Sequence, residues 1–133
     1  MRMHYSFGQH DFGAGSETFW IMGPKDRKGK LVDYGIHHVT ETFTNTTTPG
    51  YVSVGSAADA DAYGEELDLG TTAADVGSKS VRTTADAEDI EDYILDAGLS
   101  LPADTKVGLV CTAPTGGTPA GIAQVFMIID WED

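Results

Sequence analysis

Cysteine, basic charge and long apolar runs are all scarce in this chain. One cysteine, Cys111, stands among 133 residues, so no internal disulfide can form, and a disulfide-stapled secreted scaffold is excluded. It lies in Val107-Gly108-Leu109-Val110-Cys111, where a small buried hydrophobe compatible with a reducing cytoplasm is expected. No stretch approaches the roughly 20 apolar residues of a membrane helix. The longest apolar block, Val125 to Ile129, is closed by Asp130. The opening residues Met1-Arg2-Met3-His4-Tyr5-Ser6-Phe7-Gly8 lack an unbroken apolar segment, so no signal peptide is expected. Eight Lys and Arg face 21 Asp and Glu, a net charge of −13. That is a poor basis for nucleic-acid binding, which needs many phosphate-neutralising cations.

Motifs of catalysis and metal binding are missing as well. Gly13-Ala14-Gly15-Ser16 does not place the serine between the glycines of a nucleophile elbow. Gly116-Gly117-Thr118-Pro119-Ala120-Gly121 has no lysine, and its proline removes a donor, so it reads as a turn and not a phosphate loop. Asp59-Ala60-Asp61 lacks the glycine and glutamate positions of a calcium loop. His37 and His38 are adjacent in an expected strand, which would send their side chains to opposite faces. With His4 and His10 in an irregular lead-in, no zinc set is expected. The chain is therefore read as a non-enzyme without cofactor, metal or small-molecule ligand.

The charge that is present is divided unevenly. Lys25, Arg27, Lys28 and Lys30 fall within six positions, and residues 31–133 then carry 18 acids against three bases. An acidic body with one basic loop repels copies of itself and meets an oppositely charged partner at few places. Asp outnumbers Glu by 14 to 7, with only five Lys. Such a surface suits high salt, and a saline source and an acidic mesophilic one are both compatible with it.

A length of 133 residues fits one domain of the common ~100–150-residue size. Residues 1–16 have no clear period and are read as an N-terminal arm, with a single domain over 17–133. Strands are expected at Glu17–Met22, Leu31–Thr44, Tyr51–Gly55, 106–112 and Ile122–Trp131, with weaker ones at 67–70 and 76–84. The β-branched run Val39-Thr40-Glu41-Thr42-Phe43-Thr44 favours a pleated chain, and Pro49-Gly50 suits a type II turn. One short helix is expected at 86–97. Acids crowd its first turns, Ile90, Tyr93, Ile94 and Ala97 make an apolar stripe, and Gly98 stops it. The last strand is apolar on both faces, which calls for cover on both sides, from a second layer or from another subunit. These elements predict an all-β fold, a jelly-roll-like β-sandwich with one short helix, and a partly open small barrel as the alternative.

Three groups of segments carry a resemblance. They are Gly29-Lys30-Leu31-Val32-Asp33-Tyr34-Gly35 with Val39-Thr40-Glu41-Thr42-Phe43-Thr44; Pro49-Gly50-Tyr51-Val52-Ser53-Val54-Gly55; and Leu101-Pro102-Ala103-Asp104-Thr105 with Thr112-Ala113-Pro114-Thr115-Gly116-Gly117-Thr118-Pro119-Ala120-Gly121. Across most of 17–131 the chain resembles capsid decoration, or cement, proteins of tailed viruses of bacteria and archaea. The resemblance implies a β-sandwich, often trimeric, made in the host cytoplasm and bound outside an expanded icosahedral head. Its partner would be the major capsid protein, whose neighbouring subunits it would clamp. The expected partner contacts are Lys25, Arg27, Lys28 and Lys30 in the basic loop and Phe7 and Phe12 in the arm; Trp20 and Trp131 are of the type that anchors interfaces, but the core is the expected place for both. The alternatives are a carbohydrate- or receptor-binding head domain using Tyr51, Tyr63 and Asp61, and a small jelly-roll hydrolase or isomerase.

Overall fold

The computed structural model describes residues 1–70, 72, 78–84 and 89–133. Within them the strands are β1 (Arg2–Asp11), β2 (Glu17–Met22), β3 (Gly29–Thr44), β4 (Tyr51–Gly55), β5 (Gly64–Asp68), β6 (Ser78–Ser80), β7 (Lys106–Thr112) and β8 (Ala120–Trp131). β1 pairs with β8, β2 with β7, β3 with β6 and β4 with β5, all antiparallel. This is the pattern of one long hairpin folded at the β4–β5 turn. Rolling that ribbon brings β8 against β3 and β7 against β4 as well. The result is two four-stranded sheets, β1-β8-β3-β6 and β2-β7-β4-β5. The expected sandwich is therefore present, with jelly-roll connectivity.

The apolar face of each sheet turns inward. Ala123, Val125, Met127, Ile129 and Trp131 of β8 face Val107, Leu109 and Cys111 of β7 and Val52 and Val54 of β4, all fully or nearly fully buried. Burial pushes the Cys111 thiol up to about 12, with the Glu17 carboxylate adding to the effect, as expected of a packed and unreactive sulfur. Trp131 lies against Gly29, where a Cβ would come within 2.5 Å of the indole. Only glycine lets the two chains approach that closely.

Two expected elements are corrected. The N-terminal arm is not irregular: Arg2–Asp11 is a strand held to β8 from Arg2↔Asp130 to Asp11↔Ile122. Its alternation is hidden because it is an edge strand with a bulge between Ser6 and Gln9. The helix at 86–97 begins at residues that lie outside the described ones, and its described part is not α-helical. Ile90–Asp92 and Asp96–Ser100 form 3-10 turns. Between them, Tyr93 O accepts from Glu65 N at 2.7 Å and Ile94 bridges to Gly64. Pairing with β5 competes with helical bonding here, and Asp89 makes no capping bond. The α-helical turn among the described residues is α1, Val81–Thr84. Asp33 Oδ1 caps it from β3, accepting from Arg82 N at 3.1 Å.

Tyr34 ties the two sheets together. It sits on β3, fully buried, and reaches across the interior to donate its hydroxyl to Glu65 O of β5 at 2.5 Å, with Tyr93 O at 3.3 Å. Burial raises its pKa above the ordinary 10, with Glu65 as the next cause. Removing the hydroxyl takes this donor from the Glu65 carbonyl, while Tyr93 O keeps Glu65 N; losing a donor to a buried acceptor typically costs about 1–3 kcal/mol. Tyr34→Phe is thus expected to lower the urea midpoint by a stability loss of that size while leaving the far-UV spectrum unchanged. An unchanged midpoint would show that this hydrogen bond does not hold the sheets together.

Candidate interaction surface

The β2–β3 connection carries the basic loop, and its two ends are fixed by backbone bonds. Gly23 N donates to Thr105 O at 2.9 Å, and Asp104 N donates to Pro24 O at 3.0 Å. At the far end Lys28 N donates to Glu132 Oε1 at 2.8 Å, and Glu132 N donates to Lys28 O at 2.9 Å. Asp26 and Asp104 take the left-handed φ values of 61° and 53° that these tight turns require. Lys25, Arg27 and Lys28 project from this anchored loop, and Lys30 stands at the start of β3, so the four are not all in a loop as expected. All four are exposed. Among the described residues none of them has a carboxylate within ion-pairing distance. Asp130, opposite Lys30 in the ladder, pairs instead with Arg2 and the Met1 amine.

Directly before this loop, β2 presents two large apolar side chains to solvent. Trp20 is 42% exposed and Met22 57%. They lie two residues apart and therefore share the outer face of the sheet. Trp20 is packed over Gly108 of β7, where a Cβ would come within 2.7 Å of the ring. Lys106 Nζ stands 5.9 Å from its centroid, within reach of a cation–π contact. Trp20 was expected in the core and is not there. Phe19 and Ile21 take the inward side of β2, and a sandwich of two sheets has no third layer to cover the outer face that Trp20 and Met22 share. The alternation of Thr18, Trp20 and Met22 with Phe19 and Ile21 separates two faces in the sequence, but both are apolar, so the pattern alone does not say which one is outward.

The two aromatic contacts expected from the arm are placed differently. Phe7 is half-buried and stacks on Phe19 at 5.3 Å. Phe12 is fully buried, edge-on to Phe43 at 5.1 Å, so it is a core residue and no partner reaches it in this fold. Trp131 is core as expected. Of the aromatics considered for glycan binding, Tyr63 packs into the interior and Tyr51 is half-buried, so they present no common shelf. A cleft of about 420 Å³ lies below the loop, lined by Lys28–Lys30, Leu99, Ser100 and both chain ends. Its mixed charges offer no set of convergent catalytic groups.

The histidines give a further correction. His38 has a φ of 49° inside an irregular stretch between His37 and Glu41, which breaks the alternation of the strand. Its ring is then 5.1 Å from that of His37 and not on the opposite face. His4 from β1 stands 6.3 Å from His37, and Phe126 lies 5.4 Å from it. Among the described residues no group of three His, Cys, Asp or Glu is arranged to hold a metal ion. His37 Nε2 is buried without a hydrogen-bond partner. Burial first, then His38 and His4, lowers its pKa from the ordinary 6.5. The unfolded chain then takes up this proton before the folded one does, so stability is full above pH 6.5 and falls as pH drops through the lowered value. His37→Gln is expected to flatten that part of the stability–pH curve, measured by chemical denaturation on either side of pH 6.5. An identical slope in wild type and variant would remove His37 as its source.

No family model, curated protein or solved structure matches the chain. The surface must therefore be interpreted from its own chemistry. It joins exposed Trp and Met side chains to a cluster of cations that have no ion-pair partner among the described residues, on a body of net charge −13. Trp and Arg are the residue types most enriched among interface hot spots.

Proposed function

We propose that this is a non-enzymatic capsid decoration protein, which binds the outside of an icosahedral viral head and clamps neighbouring major capsid subunits. The observation that carries the reading is the juxtaposition of Trp20 and Met22 with the exposed Lys25, Arg27, Lys28 and Lys30. An apolar anchor beside a cationic rim suits docking on an acidic protein surface. The cations steer encounter and register, and the desolvated Trp supplies most of the affinity. The jelly-roll sandwich and the segments shared in texture with cement proteins support the same reading. Acting as a homotrimer, the protein would engage equivalent sites together and gain avidity from modest single contacts. The remaining acidic surface would face solvent on the virion exterior.

Co-sedimentation with heads of the virus that encodes the chain tests this. Trp20→Ala is expected to weaken head binding by about tenfold or more, the scale of a hot-spot truncation. Reversing Lys25, Arg27 and Lys28 to Glu is expected to weaken it chiefly at low salt. Retained binding by both variants, with folding intact by circular dichroism, would overturn the proposal.

A further inference from the structure

Among the described residues four strands lie at sheet edges, and three of them are closed to further pairing in ways natural proteins commonly use. β1 carries a bulge between Ser6 and Gln9, with Gly8 at a φ of 80°. β6 is only three residues long. β5 is covered by the passing chain, through Glu65 N to Tyr93 O at 2.7 Å, Leu95 N to Tyr63 O at 3.1 Å and the Gly64↔Ile94 bridge. β2 has none of these devices. It contains no Pro, Gly or Lys, and its register with β7 runs unbroken from Glu17↔Cys111 to Met22↔Lys106. Among the described residues the ladder to β7 is the one its backbone enters. Its side chains alternate between half-buried Phe19 and Ile21 and exposed Trp20 and Met22.

An unblocked, regular edge is a template for one more strand. We infer that β2 receives an extended segment of the partner protein as a fifth strand of the β2-β7-β4-β5 sheet. The occupant's chemistry follows from what flanks the edge. Trp20 and Met22 favour apolar or β-branched side chains at alternate positions, the spacing at which strand neighbours meet. The free cations of residues 25–30 at the C-terminal end of β2 favour Asp or Glu where the incoming segment passes them. A second copy of this chain fits less well, because each copy brings a net charge of −13. The assignment of the segment to a shell protein rests on the docking reading above; the open edge and the chemistry it selects do not.

Amide hydrogen exchange over residues 17–22 of the full chain tests this. It is followed in the free protein, on saturated heads, and with a short synthetic peptide of alternating Val and Thr bearing Asp at one end. The expected result is a slowing of about tenfold or more over this strand, as for newly hydrogen-bonded backbone, on heads and with the peptide. A peptide with Lys in place of Asp, or with a central Pro, is expected to protect far less. Head binding with residues 17–22 still exchanging at the free rate would overturn the inference and leave the docking reading standing. Protection by the acidic peptide with no head binding would do the reverse. Equal protection by the Pro-interrupted peptide would overturn strand addition. Protection that rises with protein concentration alone, together with a doubled mass in light scattering, would overturn the partner segment in favour of a second copy.

Discussion

The fold depends on β8 lying between β1 and β3. This strand starts late in the chain, yet its ladder runs nearly the full length of both neighbours. Its inward residues form the floor of the core. Because β1 and β8 come from opposite ends of the sequence, their pairing closes the rolled ribbon and sets the rest of the topology. Long-range pairing of this kind carries a loop-closure cost before any contact offsets it. Burial of Val125, Met127, Ile129 and Trp131 against β7 and β4 offsets that cost, at roughly 1.5–3 kcal/mol for each large apolar side chain fully removed from water.

The same roll decides where the basic loop lies relative to the exposed apolar pair of β2. Passing from β2 to β3 means crossing from one sheet to the other, and the crossing is made by the basic loop. The loop therefore projects from one end of the sandwich, beside the edge strand that precedes it. In this way the connectivity places Lys25 and Arg27 next to Trp20 and Met22. The acidic stretch around Glu65, Glu66 and Asp68 is carried by β5 at the opposite edge of that sheet. Opposite charge at opposite edges makes the sheet electrically polar across its width.

Much of this was legible in the sequence, and the failures share a cause. β2, β4, β7 and β8 were found nearly at their observed bounds because short apolar or β-branched runs are closed by turn residues there. β3 shows the limit. Its buried residues Leu31, Tyr34, Ile36, Val39 and Phe43 do not keep a period of two, because the ladder slips between Leu31 and Asp33 and again after His37. A strict alternation therefore put His37 and His38 on opposite faces, whereas the backbone at His38 brings their rings together. β1 was read as an arm for the same reason, a bulge breaking its pattern. The basic cluster was visible as charge density. Trp20 was not visible as a surface residue, since exposure on an edge strand depends on sheet order, which sequence pattern does not contain.

The placement of Trp20 beside the exposed cations of residues 25–30 gives the proposed docking a defined dependence on salt. At 0.1 M salt the screening length is about 10 Å, so the loop and the acidic body are both felt well beyond contact; at 1 M it is about 3 Å. For the proposed docking on an acidic shell, raising salt would weaken the attraction of the loop and also the repulsion between that shell and the −13 body. The apolar contact of Trp20 and Met22 and the backbone ladder along β2 depend little on this screening. A surface built from both kinds of contact keeps its affinity across salt concentrations that would abolish a purely electrostatic one. On the proposed docking, the edge strand would dominate binding at high salt and the loop would add to it at low salt.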